Sequence, residues 1–248
     1  MARISYNDVA KDYRAGRGLN EDGLSAWREA VRPYFEGLRL PLVDVGSGAG
    51  QFAPLFAEWF EIEVFGVEPS DGMRAQAIES AAHERVRYLA GDAQHLPLQD
   101  ASCGAAWIST VIHHIPDLGA AAREVRRVLA PGAPVLIRSA FPGRTAGISL
   151  FRLFPEAAAV VETFPSIERV ERDFVAAGFA LERFEAVPQV TVGSLGEFRE
   201  RVALRADTTL RGISDDAFSA GLRRLDAAIE SESDPEPLID YLDLAVLR

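Results

Sequence analysis

Three glycines follow a short apolar run in the stretch LVDVGSGAGQF, residues 42–52. The dinucleotide-binding fingerprint requires G-x-G-x-x-G, in which the third glycine lets a helix pack closely beneath a pyrophosphate. Gln51 occupies that third position, and the pattern is instead Asp-x-Gly-x-Gly-x-Gly, from Asp44 to Gly50. A carboxylate at the end of the strand repels phosphate but suits amines and hydroxyls. The turn therefore predicts a cationic cofactor without phosphate groups.

Two more acidic residues end the apolar runs that follow. Glu68 lies in GVEPS, 22 residues after Gly46, where a carboxylate can accept hydrogen bonds from both hydroxyls of a ribose. Asp92 lies in AGDAQHLPL and offers an acceptor for an adenine amino group, with Met73 and Ala93 available to pack against the ring. The glycine turn contains no basic residue that could bind a diphosphate.

A pair of histidines, His113 and His114, forms the candidate catalytic group. Histidine is the usual general base near neutral pH, so either residue could remove a proton from a hydroxyl or carbon acceptor. The alternative role is structural, in which the pair holds the loop after the fourth predicted strand in place. Residue type and position support both roles.

The elements that must position these residues alternate between apolar runs and helical patterns, which is typical of a parallel sheet with crossover helices. Five strands are predicted in this core, at 42–45, 63–67, 86–90, 104–108 and 134–139. Helices are predicted between them, over 52–60, after a Ser70 cap, and over 118–129 after an Asp117 cap. Ligands of such sheets lie beyond the carboxyl ends of the strands, where Gly46, Glu68, Asp92 and Ser109 are expected to meet.

Three segments lie outside this core of residues 40–140. Residues 1–38 are predicted to form an N-terminal lid, and residues 141–165 and 194–232 to form caps on the acceptor side. Residues 166–190 and 238–248 add a helix and two further strands, so we expect one domain over 1–248. Four phenylalanines of the caps are candidates either for the core or for the lining of an acceptor pocket: Phe151, Phe154, Phe164 and Phe198.

The composition excludes several classes of function. A formal net charge of −11 argues against nucleic-acid binding, which depends on neutralising phosphates with Lys and Arg. The single cysteine, Cys103, excludes a disulfide framework and a multi-thiolate metal site, and we predict no metal. We find neither a signal-peptide core nor an apolar run long enough to span a membrane, and we therefore expect a cytoplasmic monomer or homodimer.

Together these stretches resemble class I S-adenosylmethionine-dependent methyltransferases, specifically the small-molecule type 11 group. The resemblance rests on VDVGSGAG, GVEPSDGM, YLAGDAQHLPL, WISTVIHHIPD and REVRRVLAPGAPVLIR, and the opening YNDVAKDYRAGR is also similar to that group. It implies a Rossmann-like, doubly wound, mostly parallel seven-stranded sheet with helical lid and cap insertions. It also implies S-adenosylmethionine as cofactor and S-adenosylhomocysteine as product.

The resemblance implies a role for individual residues. It puts Asp44, Gly46 and Gly48 at the methionine end of the cofactor, Glu68 at the ribose, and Asp92 with Ala93 at the adenine. Tyr13 or Arg17 would close over the cofactor carboxylate. The remaining predicted cofactor contacts are Ser47, Pro69, Met73 and Ser109.

The expected reaction is methyl transfer to a small hydrophobic or aromatic metabolite, such as one of secondary metabolism. Transfer to oxygen, nitrogen or carbon remains open, although the Asn/Asp-Pro-Pro-aromatic motif of many amino-nitrogen and nucleic-acid methyltransferases is absent after the fourth strand. Two alternatives remain. One is a protein that uses the same fold and cofactor for cyclisation or for binding without methyl transfer, and the other is a nicotinamide-dependent reductase.

Overall fold

A seven-stranded sheet forms the centre of the molecule in the computed structural model, which describes residues 21–248. The strands are β1 (Leu42–Val45), β2 (Val64–Glu68), β3 (Val86–Ala90), β4 (Ala105–Ser109), β5 (Val135–Ser139), β6 (Leu181–Val192) and β7 (Leu238–Leu247). Their order is β3-β2-β1-β4-β5-β7-β6, and only β7 runs antiparallel to its neighbours. The predicted fold class, a doubly wound and mostly parallel seven-stranded sheet, is confirmed.

Helices cover both faces of this sheet. Those described are α1 (Glu21–Phe35), α2 (Ala53–Phe60), α3 (Asp71–Ser80), α4 (Leu118–Val128), α5 (Ser149–Leu153), α6 (Pro155–Val161), α7 (Ile167–Val175), α8 (Leu195–Ala203), α9 (Thr208–Arg211) and α10 (Asp215–Ser231). Side-chain caps start α3 and α4 as predicted, because Ser70 accepts from the backbone of Met73 and Asp117 accepts from that of Ala120. A short 3₁₀ turn, Ile112–His114, follows β4.

The strand order reverses between β1 and β4, which are parallel neighbours on either side of the switch point. All four residues of β1 are buried, as expected for an apolar strand that is covered by helices on both faces. The loops after β1 and β4 therefore diverge to opposite sides of the sheet and leave a crevice at their carboxyl ends.

An aromatic cluster fixes α1 and α2 on one face of the sheet. Trp107 of β4 is fully buried and packs edge-on against Trp27 of α1, with ring centres 5.9 Å apart. It makes a similar contact with Phe56 of α2 at 5.3 Å, and Phe35 packs against Phe56 at 5.0 Å. These contacts place the amino-terminal end of α2, and thus the glycine turn that precedes it, rigidly beside β4.

The predicted cap segments are α5, α6 and the helices α8–α10. Phe154 is fully buried in the core, stacks on Phe218 of α10 at 5.8 Å, and lies so close to Gly221 that a Cβ there would be 2.0 Å from its ring. Phe154 therefore belongs to the cap core. Ile78 of α3 is exposed. Tyr13, Arg17 and most of the predicted lid lie outside the described residues.

Two sequence-based exclusions can be compared with residues 21–248. No helix in this part of the chain is long and apolar enough to cross a membrane. The same residues contain no group of three or more His, Cys, Asp or Glu side chains arranged to hold a metal ion.

Candidate active site

The glycine turn after β1 needs its glycines for different reasons. Gly46 has a φ of +72°, and a Cβ at this position would lie 2.4 Å from a methyl group of Val111. Gly50 has a φ of +76°, and its Cβ would meet the hydroxyl of Tyr88 at 2.3 Å. Gly48 also has a positive φ, of +57°, but the space beside it is open. The turn is thus packed from below at two glycines and open at the third.

Glu68 connects this turn to the end of β2. One carboxylate oxygen accepts from the backbone N–H of Gly48 at 3.0 Å, and the other accepts from that of Ser70 at 2.9 Å. Burial raises the pKa of Glu68, while these two N–H groups and the charge of Arg74 oppose the shift. Each carboxylate oxygen can accept a second hydrogen bond, so the group can hold the turn and still receive two ligand hydroxyls.

A cavity with about 1000 Å³ of free space, part of it open to solvent, lies at the carboxyl ends of β1, β2 and β4. We call it the glycine-loop cavity. Most of the residues predicted at the cofactor line it: Gly46, Gly48, Glu68, Pro69, Met73, Asp92, Ala93, Ser109 and the candidate catalytic residue His114. Among the described residues, no lysine or arginine lines it. The carboxylates Glu68 and Asp92 of this lining suit a cationic ligand.

Asp44 and Ser47, both predicted at the cofactor, lie behind this lining. Asp44 is almost fully buried within β1, and burial, followed by the charge of Glu68, raises the pKa of its carboxyl to about 8. Ser47 is also buried, and its hydroxyl packs against Gly66 of β2. Neither Asp44 nor Ser47 is therefore among the described residues that line the glycine-loop cavity.

Asp92 occupies the opposite end of the glycine-loop cavity. Its Oδ1 atom accepts from the backbone N–H of Gln94 at 2.8 Å and lies 3.2 Å from Nδ1 of His95. Met73, which is buried, and Ala93 line the cavity beside it. This end offers apolar surface for a ring and one carboxylate beside it.

A second cavity, with about 1020 Å³ of free space, lies between the sheet and the cap helices, and we call it the cap cavity. Three of the four candidate phenylalanines, Phe151, Phe164 and Phe198, line it together with the cap residues Ile148, Leu150, Val161, Val202 and Leu210. Its sheet side is polar and is formed by Arg138, Ser139, Gln189, Thr191 and Asp240.

The polar side chains on the sheet side form one hydrogen-bonded chain. Arg138 donates to Oγ of Ser109 at 3.2 Å and to Oε1 of Gln189 at 2.8 Å. Gln189 donates to the Thr191 hydroxyl at 3.4 Å, and that hydroxyl donates to Asp240 at 2.7 Å. Because Ser109 lines the glycine-loop cavity, the chain extends from one cavity along the whole side of the other.

Thr110 lies where the two cavities meet and lines both. Its φ is +53°, and its backbone N–H donates to the carbonyl of Arg138 at 2.8 Å. The next residues carry the histidine pair, whose ring centres are 4.0 Å apart. His113 faces the cap cavity and stacks on Phe164 at 3.9 Å, whereas His114 faces the glycine-loop cavity. Each cavity is thus lined by one of the two histidines.

Comparisons with known proteins identify the family. A family model described as a methyltransferase domain matches residues 43–137, which form the glycine-loop half of the molecule. The 27-O-demethylrifamycin SV methyltransferase of Amycolatopsis mediterranei is 29% identical over 84% of this chain and 76% of that protein. The ubiquinone/menaquinone biosynthesis C-methyltransferase UbiE of Methylobacterium nodulans is 32% identical over 63% of this chain and 68% of that protein. The chain belongs to the class I S-adenosylmethionine-dependent methyltransferases.

Solved structures agree with this assignment of fold. The methyltransferase has a TM-score of 0.68 to a proposed methyltransferase from an antibiotic biosynthesis pathway of Anabaena variabilis, at 20% identity over 88% of this chain and 94% of that one. Its TM-score to the [4+2]-cyclase SpnF is 0.62, at 20% identity over 98% and 93%. The methyltransferase spans 59% of the length of other UbiE proteins that it matches, such as that of Caulobacter vibrioides.

Sequence reasoning missed the polar side of the cap cavity in this methyltransferase. Arg138 is the fourth residue of a buried strand, VLIRS, and an arginine within such a strand is a signal for a functional role. Gln189 and Thr191 lie on β6 and gave no signal of their own. Gln51 replaces the third glycine of the dinucleotide fingerprint, and it lines the cap cavity.

Proposed function

We propose that this enzyme binds S-adenosylmethionine in the glycine-loop cavity and methylates a small, hydrophobic or aromatic molecule in the cap cavity. The observation that carries the proposal is the pair of cavities that share Thr110, one acidic and free of described lysine and arginine, the other lined by phenylalanines. The likeness to the rifamycin and UbiE methyltransferases supports a small-molecule acceptor.

The described residues fit S-adenosylmethionine. Glu68 offers its remaining acceptor capacity to the ribose hydroxyls, and Asp92 with Met73 and Ala93 suits the adenine. Gly48 leaves room for close approach of the methionine portion, since nothing lies within 4 Å of where its side chain would project. The cofactor, when bound, supplies a methyl group on a positively charged sulfur, which is activated for displacement.

The enzyme's contribution is to align the acceptor and to exclude water, because the leaving group is already activated. The cap helices and Phe164 close the acceptor side of the cavity. His113 and His114 stay candidates for a general base, with His113 on the acceptor side and His114 on the cofactor side. A cytoplasmic location and a place in secondary metabolism stay predictions from the sequence.

Calorimetry tests the cofactor assignment. We expect S-adenosylmethionine and S-adenosylhomocysteine to bind, and the reduced and oxidised nicotinamide dinucleotides not to bind. Tight binding of a nicotinamide cofactor would instead favour the reductase. A screen of phenolic, polyketide-like and amine acceptors, scored by release of S-adenosylhomocysteine, then identifies the acceptor class.

The second candidate is a cyclase that holds the same cofactor without transferring its methyl group. Its support is the likeness of the whole chain to the fold of the [4+2]-cyclase SpnF. The same screen separates the two functions: conversion of an acceptor without release of S-adenosylhomocysteine supports cyclisation, and release in a one-to-one ratio with product supports methyl transfer.

A further inference from the structure

Arg138 is the feature of the acceptor side that the proposed function does not yet use. We propose that Arg138 is a positioning residue that binds the acceptor as an oxyanion, so that the acceptor is a phenol or enol with an acidic hydroxyl and not an amine. This inference rests on the proposed methyl transfer and specifies its acceptor class.

The position of Arg138 puts its charge at the junction of the two cavities. It pairs in register with Ser109 across β4 and β5, and both lie at the carboxyl ends of their strands. The guanidinium lines the cap cavity and donates to Oγ of Ser109, which lines the glycine-loop cavity. An acceptor atom that is to meet a methyl group must lie at this junction, and hence close to the guanidinium.

The surroundings of Arg138 hold the charge in place. Its guanidinium carbon lies 4.7 Å from the ring centre of Trp27 and 5.5 Å from that of Phe52, and its side chain is only 6% exposed. Oε1 of Gln189 accepts from Arg138 at 2.8 Å and from Nε1 of Trp27 at 2.7 Å. A guanidinium that is stacked and hydrogen-bonded in this way keeps one orientation, and the arginine side chain carries a positive charge in proteins.

Four other ionisable side chains line the cap cavity. Asp240 lies at the far end of the polar chain, where it accepts from the backbone N–H of Ser149 at 2.7 Å and from the Thr191 hydroxyl. Asp207 accepts from the backbone of Thr209, and Arg201 donates to the carbonyl of Thr191. His113 stacks on Phe164.

Across the junction, the glycine-loop cavity presents Glu68, Asp92 and His114. Arg138 contacts a residue of each cavity, Ser109 on one side and Gln189 on the other.

A fixed positive charge at this place selects the acceptor by its charge. In a site with little water, the guanidinium stabilises an oxyanion by a charge-assisted hydrogen bond and repels a protonated amine. It lowers the pKa of a bound acidic hydroxyl, whose proton passes to solvent as the acceptor binds. An acceptor that has lost its proton to solvent on binding needs no histidine base. The phenylalanines Phe151, Phe164 and Phe198 then hold its apolar body.

The test uses 4-nitrophenol as the probe, on the full-length enzyme saturated with S-adenosylhomocysteine. The absorbance of the phenolate reports its protonation when bound, and nitrobenzene serves as the neutral analogue of the same shape. We expect the bound probe to lose its proton at least about one pH unit below the free probe. We also expect the phenolate to bind at least about tenfold more tightly than nitrobenzene.

Two variants assign the effect to the charge of Arg138. Arg138→Gln keeps a polar side chain of similar reach, and we expect bound 4-nitrophenol to lose its proton in this variant at the same pH as the free probe. Arg138→Lys keeps the positive charge, so we expect part of the downward shift in that pH to remain. Arg199→Gln removes a positive charge from the surface of α8, where Arg199 pairs with Asp226, and is expected to change nothing. Thermal unfolding and affinity for S-adenosylhomocysteine show that each variant is folded.

The wild-type measurement is decisive even if Arg138→Gln does not fold. Equal binding of nitrobenzene and 4-nitrophenol, no binding of the phenol, or an unshifted protonation would overturn the inference. If 4-nitrobenzoate binds more tightly than the phenolate, the proposed phenol or enol is wrong and the site takes a carboxylate. Failure to bind S-adenosylhomocysteine would instead contradict the proposed function itself, so the two failures are distinguishable.

Discussion

The two cavities of this enzyme are built in different ways. The glycine-loop cavity consists of residues that end or soon follow the first four strands, β1 to β4, and the backbone of the glycine turn donates a hydrogen bond directly to Glu68. The cap cavity combines side chains from β5, β6 and β7 with helices from two separate segments. The first cavity is therefore fixed by local backbone geometry, and the second by long-range packing. Substitutions in the first should affect the cofactor, and substitutions in the second should affect the acceptor.

The largest effect is expected for Gly46→Ala. We predict a loss of about 2–5 kcal/mol in the free energy of unfolding, since the positive φ costs ~1–2 kcal/mol and the clash with Val111 costs ~1–3 kcal/mol. Cofactor binding should be lost as well, because Gly46 and Val111 both line the glycine-loop cavity. Urea denaturation and calorimetry measure the two effects.

Gly37→Ala is the matched control, because Gly37 has a φ of +76° but no atom within 4 Å of its missing side chain. Its free energy of unfolding should fall only by ~1–2 kcal/mol, which is the cost of the positive φ, and it should bind the cofactor normally. Equal losses in the two variants would show that the close packing of the glycine turn does not matter.

A smaller effect is expected at the end of β2. Glu68→Ala should weaken S-adenosylmethionine binding by about 1.5–3 kcal/mol, the scale of hydrogen bonds to a charged group. Asp92→Ala should act in the same direction but more weakly, because Met73 and Ala93 still pack on the adenine. Calorimetry with each variant checks this order, and unchanged affinity in Glu68→Ala would contradict the assignment of the ribose site.

The buried carboxyl of Asp44, behind the glycine-loop cavity, predicts that the stability of the enzyme depends on pH. Burial raises its pKa in the folded protein to about 8, well above the ordinary value of an aspartate, so between these two values the folded state holds a proton that the unfolded state has released. This contribution to stability is complete below pH ~4 and is lost as the pH rises through 8. The melting temperature of the ligand-free enzyme should therefore fall over this range.

Asp44→Asn should flatten this pH dependence, and a similar slope in the variant would assign it to another group. Binding of a cationic cofactor favours the ionised carboxylate, so wild-type enzyme should release a proton on binding near pH 7. Calorimetry in buffers of different ionisation enthalpy detects that proton, and Asp44→Asn should not release it.

The smallest effect is expected for the histidine pair. His113 stacks on Phe164 and shapes the cap cavity, and an acceptor bound as an oxyanion needs no base. We expect His113→Gln to raise the acceptor KM while kcat stays within about tenfold, and His114→Gln to have little effect on either. A fall in kcat by a factor of about 10²–10⁴, with loss of the rate on acidification through pH ~6.5, would instead identify a general base.

The sequence signals on the glycine-loop side are local. The turn at Gly46, the acidic end of β2 and the acidic end of β3 each lie in one short stretch, and parallel pairing brings strand ends together without further information. The roles of these residues stay predictions, but their placement at one cavity agrees with the structure.

The cap side could not be predicted in the same way. Gln189 pairs with Asp240 because β6 and β7 are antiparallel in one particular register. Arg138 of β5 bonds to Gln189 of β6 across β7, because β7 lies between these two strands and the strand order does not follow the chain. Such contacts depend on the register of strands about fifty residues apart, which residue patterns leave undetermined. The same reason explains why Phe164 lines the cap cavity whereas Phe154 is buried in the cap core. The ring of Phe154 packs against Gly221 of α10, which is distant in the sequence.

Thr110 stores backbone strain at the place where the two cavities meet. A β-branched residue with a φ of +53° costs of order 1–3 kcal/mol, and glycine would adopt the same backbone without that loss. Because Thr110 lines both cavities, the change to glycine that relieves this strain would also remove a side chain from a residue that the two ligand spaces share.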